Sequence, residues 1–162
     1  MCAAGIERAL RIGCELSSRV AAIAPVSGNM ATATGSAHDV PCRLNRPVSV
    51  LAIHGTADPI VPLAGGQTDI NYAPLSEVML KWRELNGCAD YSAVSVSGPS
   101  MTTSWPCSQG STVAMRVVAG GVRAWPGSAA NGIVTPNGPD RSFDASSVIA
   151  DFFLAHPRTV SA

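Results

Sequence analysis

Charged side chains are scarce in this sequence, and no cluster of Lys or Arg occurs along it. Asp, Glu, Lys and Arg make up 14% of the 162 residues and the formal net charge is zero, whereas an average soluble protein is about 25% charged. Neither a nucleic acid nor an anionic membrane surface is therefore expected as a partner. Long apolar runs are also missing, because residues 48–53 fall far short of the roughly 20 residues that span a bilayer.

The sequence also lacks any group of residues spaced as metal ligands. It has five cysteines, at positions 2, 14, 42, 88 and 107. They include no C-x-x-C pair and no histidine at zinc-site spacing, so no metal site is expected. We prefer two disulfides and one free thiol, which implies an oxidising compartment; the alternative is five buried, reduced thiols. Residues 1–5 show no signal-peptide pattern, and we expect the sequence to start inside a longer protein.

Hydrophobic residues make up 46% of the sequence, enough for one core in a chain of domain length. Their periodicity predicts helices and buried strands in alternation. In order, we predict a helix (5–17), a strand (20–26), a loop (29–46), a strand (48–53), a helix (75–85), short strands (92–119), an irregular stretch (120–140) and a last helix N-capped by Asp144. This alternation indicates an α/β fold with a mostly parallel sheet flanked by helices, whose ligands bind beyond the carboxyl ends of the strands.

The segment at residues 47–62 carries the clearest chemical signal, because Asp58 follows a buried strand directly. A carboxylate there is placed to accept a hydrogen bond from a histidine, as the acid of a Ser-His-Asp triad does. The alternative is that Asp58 caps the turn around Pro59. His54, at the end of the same strand, is interpreted as a structural histidine.

Four segments together, residues 10–28, 54–62, 81–88 and 120–127, resemble the polyhydroxybutyrate depolymerase and feruloyl or acetyl esterase family of the α/β-hydrolase superfamily. They follow one another in the family's order, and residues 151–157 resemble its closing helix. The resemblance implies that residues 1–162 form a single partial domain, the C-terminal half of an α/β-hydrolase fold. The N-terminal strands and a complete nucleophile elbow would then lie outside this sequence.

The resemblance also assigns residues to the catalytic positions. Asp58 matches the triad acid, whereas Ala3 stands at the nucleophile position and Arg123 at the histidine position. Alanine has no nucleophilic atom and arginine stays protonated, so neither can do the work of the residue it replaces. Arg123 could instead form an ion pair with Asp58. Cys2 is a disfavoured substitute nucleophile, because no histidine base accompanies it.

The resemblance further implies that a disulfide joins Cys88 to Cys107, and Cys14 and Cys42 could then form the second bridge. Four cysteines nevertheless allow three connectivities. Trp125 either contacts substrate, as in the family, or anchors its loop on the core. Trp82 lies on a helical stripe and is assigned to the core.

The expected function is therefore that of a serine-type carboxylic-ester hydrolase lineage, catalytically impaired in this chain. Its substrate would be a small-molecule or polymeric ester, and it would need no cofactor. The alternatives are a truncated or pseudoenzyme fragment without activity, a non-catalytic module that binds ligands around Trp125, and a half-domain complemented by a separate N-terminal half. The family is secreted, although no signal peptide is present here.

Overall fold

The computed structural model describes residues 6–68, 70–128 and 141–158. Three helices, α1 (Ile6–Glu15), α2 (Leu75–Asn86) and α3 (Ala145–Ala155), flank the strands. The strands are β1 (Ala22–Ile23), β2 (Ser49–Gly55), β3 (Gly66–Gln67), β4 (Asn71–Tyr72), β5 (Ala93–Ser97), β6 (Ser100–Pro106) and β7 (Thr112–Val118). Short 3₁₀ turns occur at Ala37–Asp39 and Ser108–Gly110.

Five strands form the main sheet in the order β1-β2-β7-β6-β5, while β3 and β4 form a separate two-stranded ribbon. The neighbours β1, β2 and β7 are parallel, and β6 is antiparallel to both β7 and β5. Four of the five strands therefore run in one direction and β6 runs in the other. The predicted α/β class is confirmed, with the difference that the β5–β6 hairpin adds antiparallel pairing.

Strand β2 is buried at every position, as its unbroken apolar sequence predicts. Its alternating side chains divide the core into two clusters. On one side Val50 and Ala52 pack with α1 and α2, and we call this the α1/α2 face. On the other side Leu51 and Ile53 pack with α3, and we call this the α3 face.

Local sequence explains the end of α2 and the start of α3. Gly87, in the left-handed conformation (φ 57°), terminates α2, and the Asp144 side chain caps α3 by accepting a hydrogen bond from Ser146 N at 2.8 Å. The Asp144 cap was predicted, and α2 ends within one residue of the predicted bound at residue 85. The strand predicted at residues 20–26 was wrong in length, since β1 covers only Ala22–Ile23. Pro25 offers no N–H for a ladder, so pairing with β2 resumes only at Val26.

Both predicted disulfides are present on the α1/α2 face. Cys14 is bonded to Cys42, which ties α1 to the loop before β2, and Cys88 is bonded to Cys107, which ties the end of α2 to the end of β6. Trp82 is fully buried there, as expected. Two disulfides are typical of proteins from oxidising compartments. Cys2 lies outside the described residues.

Candidate functional site

The loops that follow β2 and β7 are joined at the carboxyl edge of the sheet. Thr56 N donates to Val118 O at 3.0 Å, and Ala57 N donates to Gly121 O at 2.8 Å. A side chain at Gly55 would overlap the Gly121 carbonyl, so glycine is required for this close approach. Parallel strands place their carboxyl ends side by side, and these two loops therefore bring Asp58 and Arg123 together.

The Asp58 side chain is fully buried, and its two oxygens have different surroundings. Oδ1 accepts hydrogen bonds from Ile60 N and Val61 N, both at 2.9 Å. Oδ2 has no hydrogen-bond partner in the described part of the chain; it lies 3.6 Å from Arg123 Nη1 and 3.8 Å from His54 Nε2. One oxygen therefore caps the turn, while the other faces the position that the resemblance gives to histidine.

Arg123 is held on two sides. Its Nη1 donates to Ser27 O at 3.0 Å and forms the expected ion pair with Asp58, and its side chain is 15% exposed. Ser27 is buried with φ 51°, a left-handed conformation that costs a non-glycine residue about 1 kcal/mol or more. Sequence reasoning missed this role of Ser27, whose only signal was the end of an apolar run at Ser27-Gly28.

His54 is structural in this arrangement, as predicted. It is fully buried on β2, and its Nε2 lies 2.8 Å from Val61 O, which assigns the proton to Nε2 because a carbonyl can only accept. Its Nδ1 has no hydrogen-bond partner among residues 6–68, 70–128 and 141–158. Burial lowers the pKa of His54, against smaller opposing effects of the Val61 hydrogen bond and the Asp58 charge. The neutral imidazole therefore packs on the buried side of the Asp58–Arg123 pair and adds no charge to it.

Trp125 combines features of both roles considered for it. Its Nε1 donates to Ser146 Oγ at 3.1 Å in the first turn of α3, yet 42% of the residue is exposed. Ala145 N donates to Pro126 O at 2.9 Å, and Gly127 (φ 86°) packs so closely that a side chain would meet Asp144 Cα at 2.8 Å. The loop is thus fixed against α3 and presents the indole to solvent.

Ala3, at the predicted nucleophile position, lies outside the described residues, so its distance from Asp58 stays untested. Two sizeable cavities lie elsewhere, one of about 330 Å³ beside α1 and one of about 280 Å³ under α3. Within the described ranges no helix is long and apolar enough to cross a membrane, and no three potential ligands are grouped to hold a metal ion.

Comparison with protein-family profiles and with curated proteins finds no match to this chain.

Proposed function

We propose that this chain belongs to the serine-type carboxylic-ester hydrolase lineage of the polyhydroxybutyrate depolymerase and feruloyl esterase type and has lost hydrolytic activity. The observation that carries the proposal is the free oxygen of Asp58, buried beyond the carboxyl end of β2 and facing Arg123. A triad acid needs the same setting: a fixed carboxylate with one oxygen turned to the base.

Arg123 explains why such a site would be inert. A guanidinium keeps its proton at every working pH, so it cannot accept one from a nucleophile. It satisfies the charge of Asp58 instead, and its bond to Ser27 O holds it in place. In an active relative, a histidine here would shuttle the proton and backbone N–H groups would stabilise the oxyanion. With Ala3 at the nucleophile position, no acyl-enzyme can form there.

The test has two readouts on the purified chain and its Arg123→His variant. We expect no turnover of short-chain chromogenic esters by the unmodified chain; robust turnover would contradict the loss of activity. In Arg123→His, the buried Asp58 carboxylate should raise the pKa of the introduced imidazole above its ordinary value of about 6.5, by about 1 unit or more.

The imidazole pKa is measured by NMR titration, with His38→Gln as a background that removes an exposed histidine. An introduced imidazole that titrates at or below its ordinary value would contradict the assignment of Asp58 as a triad acid. The activity assay and the titration fail independently, so loss of activity and hydrolase ancestry are tested separately.

A non-catalytic ligand-binding module is the second candidate, and the exposed, anchored indole of Trp125 favours it. The same samples discriminate the two functions. Thermal stabilisation of the unmodified chain by methyl ferulate, lost in Trp125→Ala, would support binding without hydrolysis, whereas no stabilisation would leave the indole as a loop anchor.

A further inference from the structure

A cavity of about 280 Å³, open to solvent along much of its rim, lies between α3 and the sheet. It is lined on the sheet side by β2, β6 and β7 and on the helix side by Val148, Phe152 and His156. Most of its wall is apolar, with Leu51 and Ala114 forming the floor. The cavity shares no lining residue with the Asp58–Arg123 cluster, so what it holds is a separate question.

Arg116 of β7 brings a positive charge into this wall. Its guanidinium lies over the Phe143 ring, with Cζ 3.9 Å from the ring centroid. Its Nε is buried without a hydrogen-bond partner, and no carboxylate of the described residues forms an ion pair with it. Burial lowers the pKa of Arg116, with no counter-charge to offset it. Arg116 is only partly buried and rests on the face of Phe143, so an anion beside it would supply a counter-charge that the described residues do not.

Hydroxyl groups surround the guanidinium on the same face. Thr102 is paired directly opposite Arg116 in the β6–β7 register, and Ser104 lies two residues further along β6, so both project to the α3 face. Neither hydroxyl makes a hydrogen bond within the described part of the chain. Thr112 differs, because its Oγ1 lies 2.9 Å from Nε2 of His156. The other ring nitrogen of His156, Nδ1, is bonded to Phe152 O. Two free hydroxyl donors therefore flank one unpaired cation.

We propose that this cavity binds a small monocarboxylate with an apolar tail. The carboxylate would accept hydrogen bonds from Arg116, Thr102 and Ser104, and the tail would lie against Leu51, Ala114, Val148 and Phe152. A cavity of about 150 Å³ holds one benzene, so this one has room for about 10 to 12 non-hydrogen atoms. The inference does not depend on the proposed ester-hydrolase ancestry.

The composition of the wall selects this ligand class over others. One cation matches a single negative charge, whereas a phosphate would bring about two charges into the same wall. A neutral apolar molecule would leave Arg116 unpaired, and a small inorganic anion would leave the apolar floor in contact with water. An amphiphilic carboxylate would match both parts of the wall: its charge would pair with Arg116 and its tail would contact the apolar residues.

The test uses octanoate, of about 10 non-hydrogen atoms, and octanamide, its neutral isostere, in calorimetric titrations of the full chain below the micellar range. We expect octanoate to bind at least about 10-fold more tightly than octanamide, because a charge-assisted hydrogen bond is worth about that factor. Arg116→Met should remove this preference. Absence of octanoate binding, or equal affinity for the two probes, would overturn the proposal.

Arg83→Met is the matched control. Arg83 also stacks on an aromatic ring, with Cζ 4.7 Å from the Trp105 centroid, and its Nε is also buried without a partner, but it lies on α2 at the opposite face of the sheet. It should keep the octanoate preference; an equal loss in both variants would overturn the assignment.

Thr102→Val covers the case in which Arg116→Met fails to fold. It removes one proposed donor with little change in shape, and we expect octanoate to bind several-fold more weakly while octanamide is unaffected. Methyl resonances of Val148 should shift on titration, whereas those of Leu10, in the cavity beside α1, should not. The reverse pattern of shifts would place the ligand elsewhere and overturn the proposal.

Discussion

The two faces of the central sheet are built from the same strands but differ in how completely they are covered. The α1/α2 face has two helices, both disulfides and the fully buried Trp82. The α3 face has one described helix, a smaller apolar cluster and the cavity that contains Arg116. Helix α1 packs so closely on the α1/α2 face that a Cβ atom added at Gly13 would lie 2.9 Å from the Trp82 ring.

This difference separates stability from function. The α1/α2 face also borders a cavity, the one of about 330 Å³ beside α1, but no unpaired buried charge lines it among the described residues. Its fully buried and cross-linked residues are therefore expected to act mainly through stability. On the α3 face, the cavity reduces the packing contacts and the unpaired Arg116 reduces the electrostatic stability of the fold. Such local losses of stability are common at binding sites. Three measurements test the difference between the two faces.

Removal of the disulfides should have the largest effect. Cys14→Ser/Cys42→Ser and Cys88→Ser/Cys107→Ser open loops with sequence separations of 28 and 19 residues. Each pair should lower the free energy of unfolding by about 3 kcal/mol, because the unfolded chain gains conformational entropy. Urea unfolding measures the loss. The unmodified chain in reductant should match the fourfold variant, and unchanged urea midpoints would show that the α1/α2 face does not depend on its cross-links.

The second measurement compares one enlarged alanine on each face. Ala52 and Ala114 are both buried on neighbouring strands, yet Ala52 belongs to the α1/α2 cluster and Ala114 lines the cavity. Ala52→Val should lower the free energy of unfolding by about 1–3 kcal/mol through overpacking. Ala114→Val should change it by less than about 0.5 kcal/mol, since the cavity can take the added methyl groups. Equal losses in thermal or urea unfolding would mean that the faces are packed alike.

The smallest effect should be a pH dependence from His54, which alternation along β2 places on the α1/α2 face. Burial lowers the pKa of His54 in the folded state. Below about pH 6.5, His54 is therefore protonated in the unfolded chain while it stays neutral in the folded chain. Stability due to neutral His54 is complete above that pH and is lost as the pH falls toward the folded value. The slope should reach at most about 1.4 kcal/mol per pH unit.

Unfolding curves between pH 7.5 and pH 5 test this effect. His54→Gln should flatten the pH dependence even if it lowers stability overall, whereas His38→Gln, at an exposed histidine, should leave the slope unchanged. A slope that persists in His54→Gln would assign the effect to another group.

Much of the carboxyl-edge cluster could be predicted, because its signals are local. Asp58 follows a buried strand and precedes a proline, and that pattern offered two alternatives, an acceptor for a histidine or a cap of the turn; Oδ1 caps the turn. The contact of Arg123 with Asp58 followed from resemblance alone. The hydrogen bond from Arg123 to Ser27 O was not predictable, because no sequence pattern indicates that Ser27 has a left-handed backbone conformation.

The cavity under α3 could not be predicted at all. Arg116 lies in an apolar strand, where arginine usually extends its charge to solvent. Its burial depends on the pairing of Thr102 with Arg116 and on the packing of Phe143 over the guanidinium. Neither contact can be inferred from residues near position 116.

Residue patterns alone were enough to predict the α/β alternation, the buried central strand, the cap of α3 and the acidic residue beyond β2, whereas the disulfide partners were implied by the family resemblance. These features depend on periodicity, turn chemistry and motif order, which act over a few residues or are preserved along the chain. Which charges are paired, and where the cavities lie, emerged only from the folded structure. Both depend on strand register and on contacts between distant segments, and the electrostatic free energy of a buried charge is set by the groups packed around it.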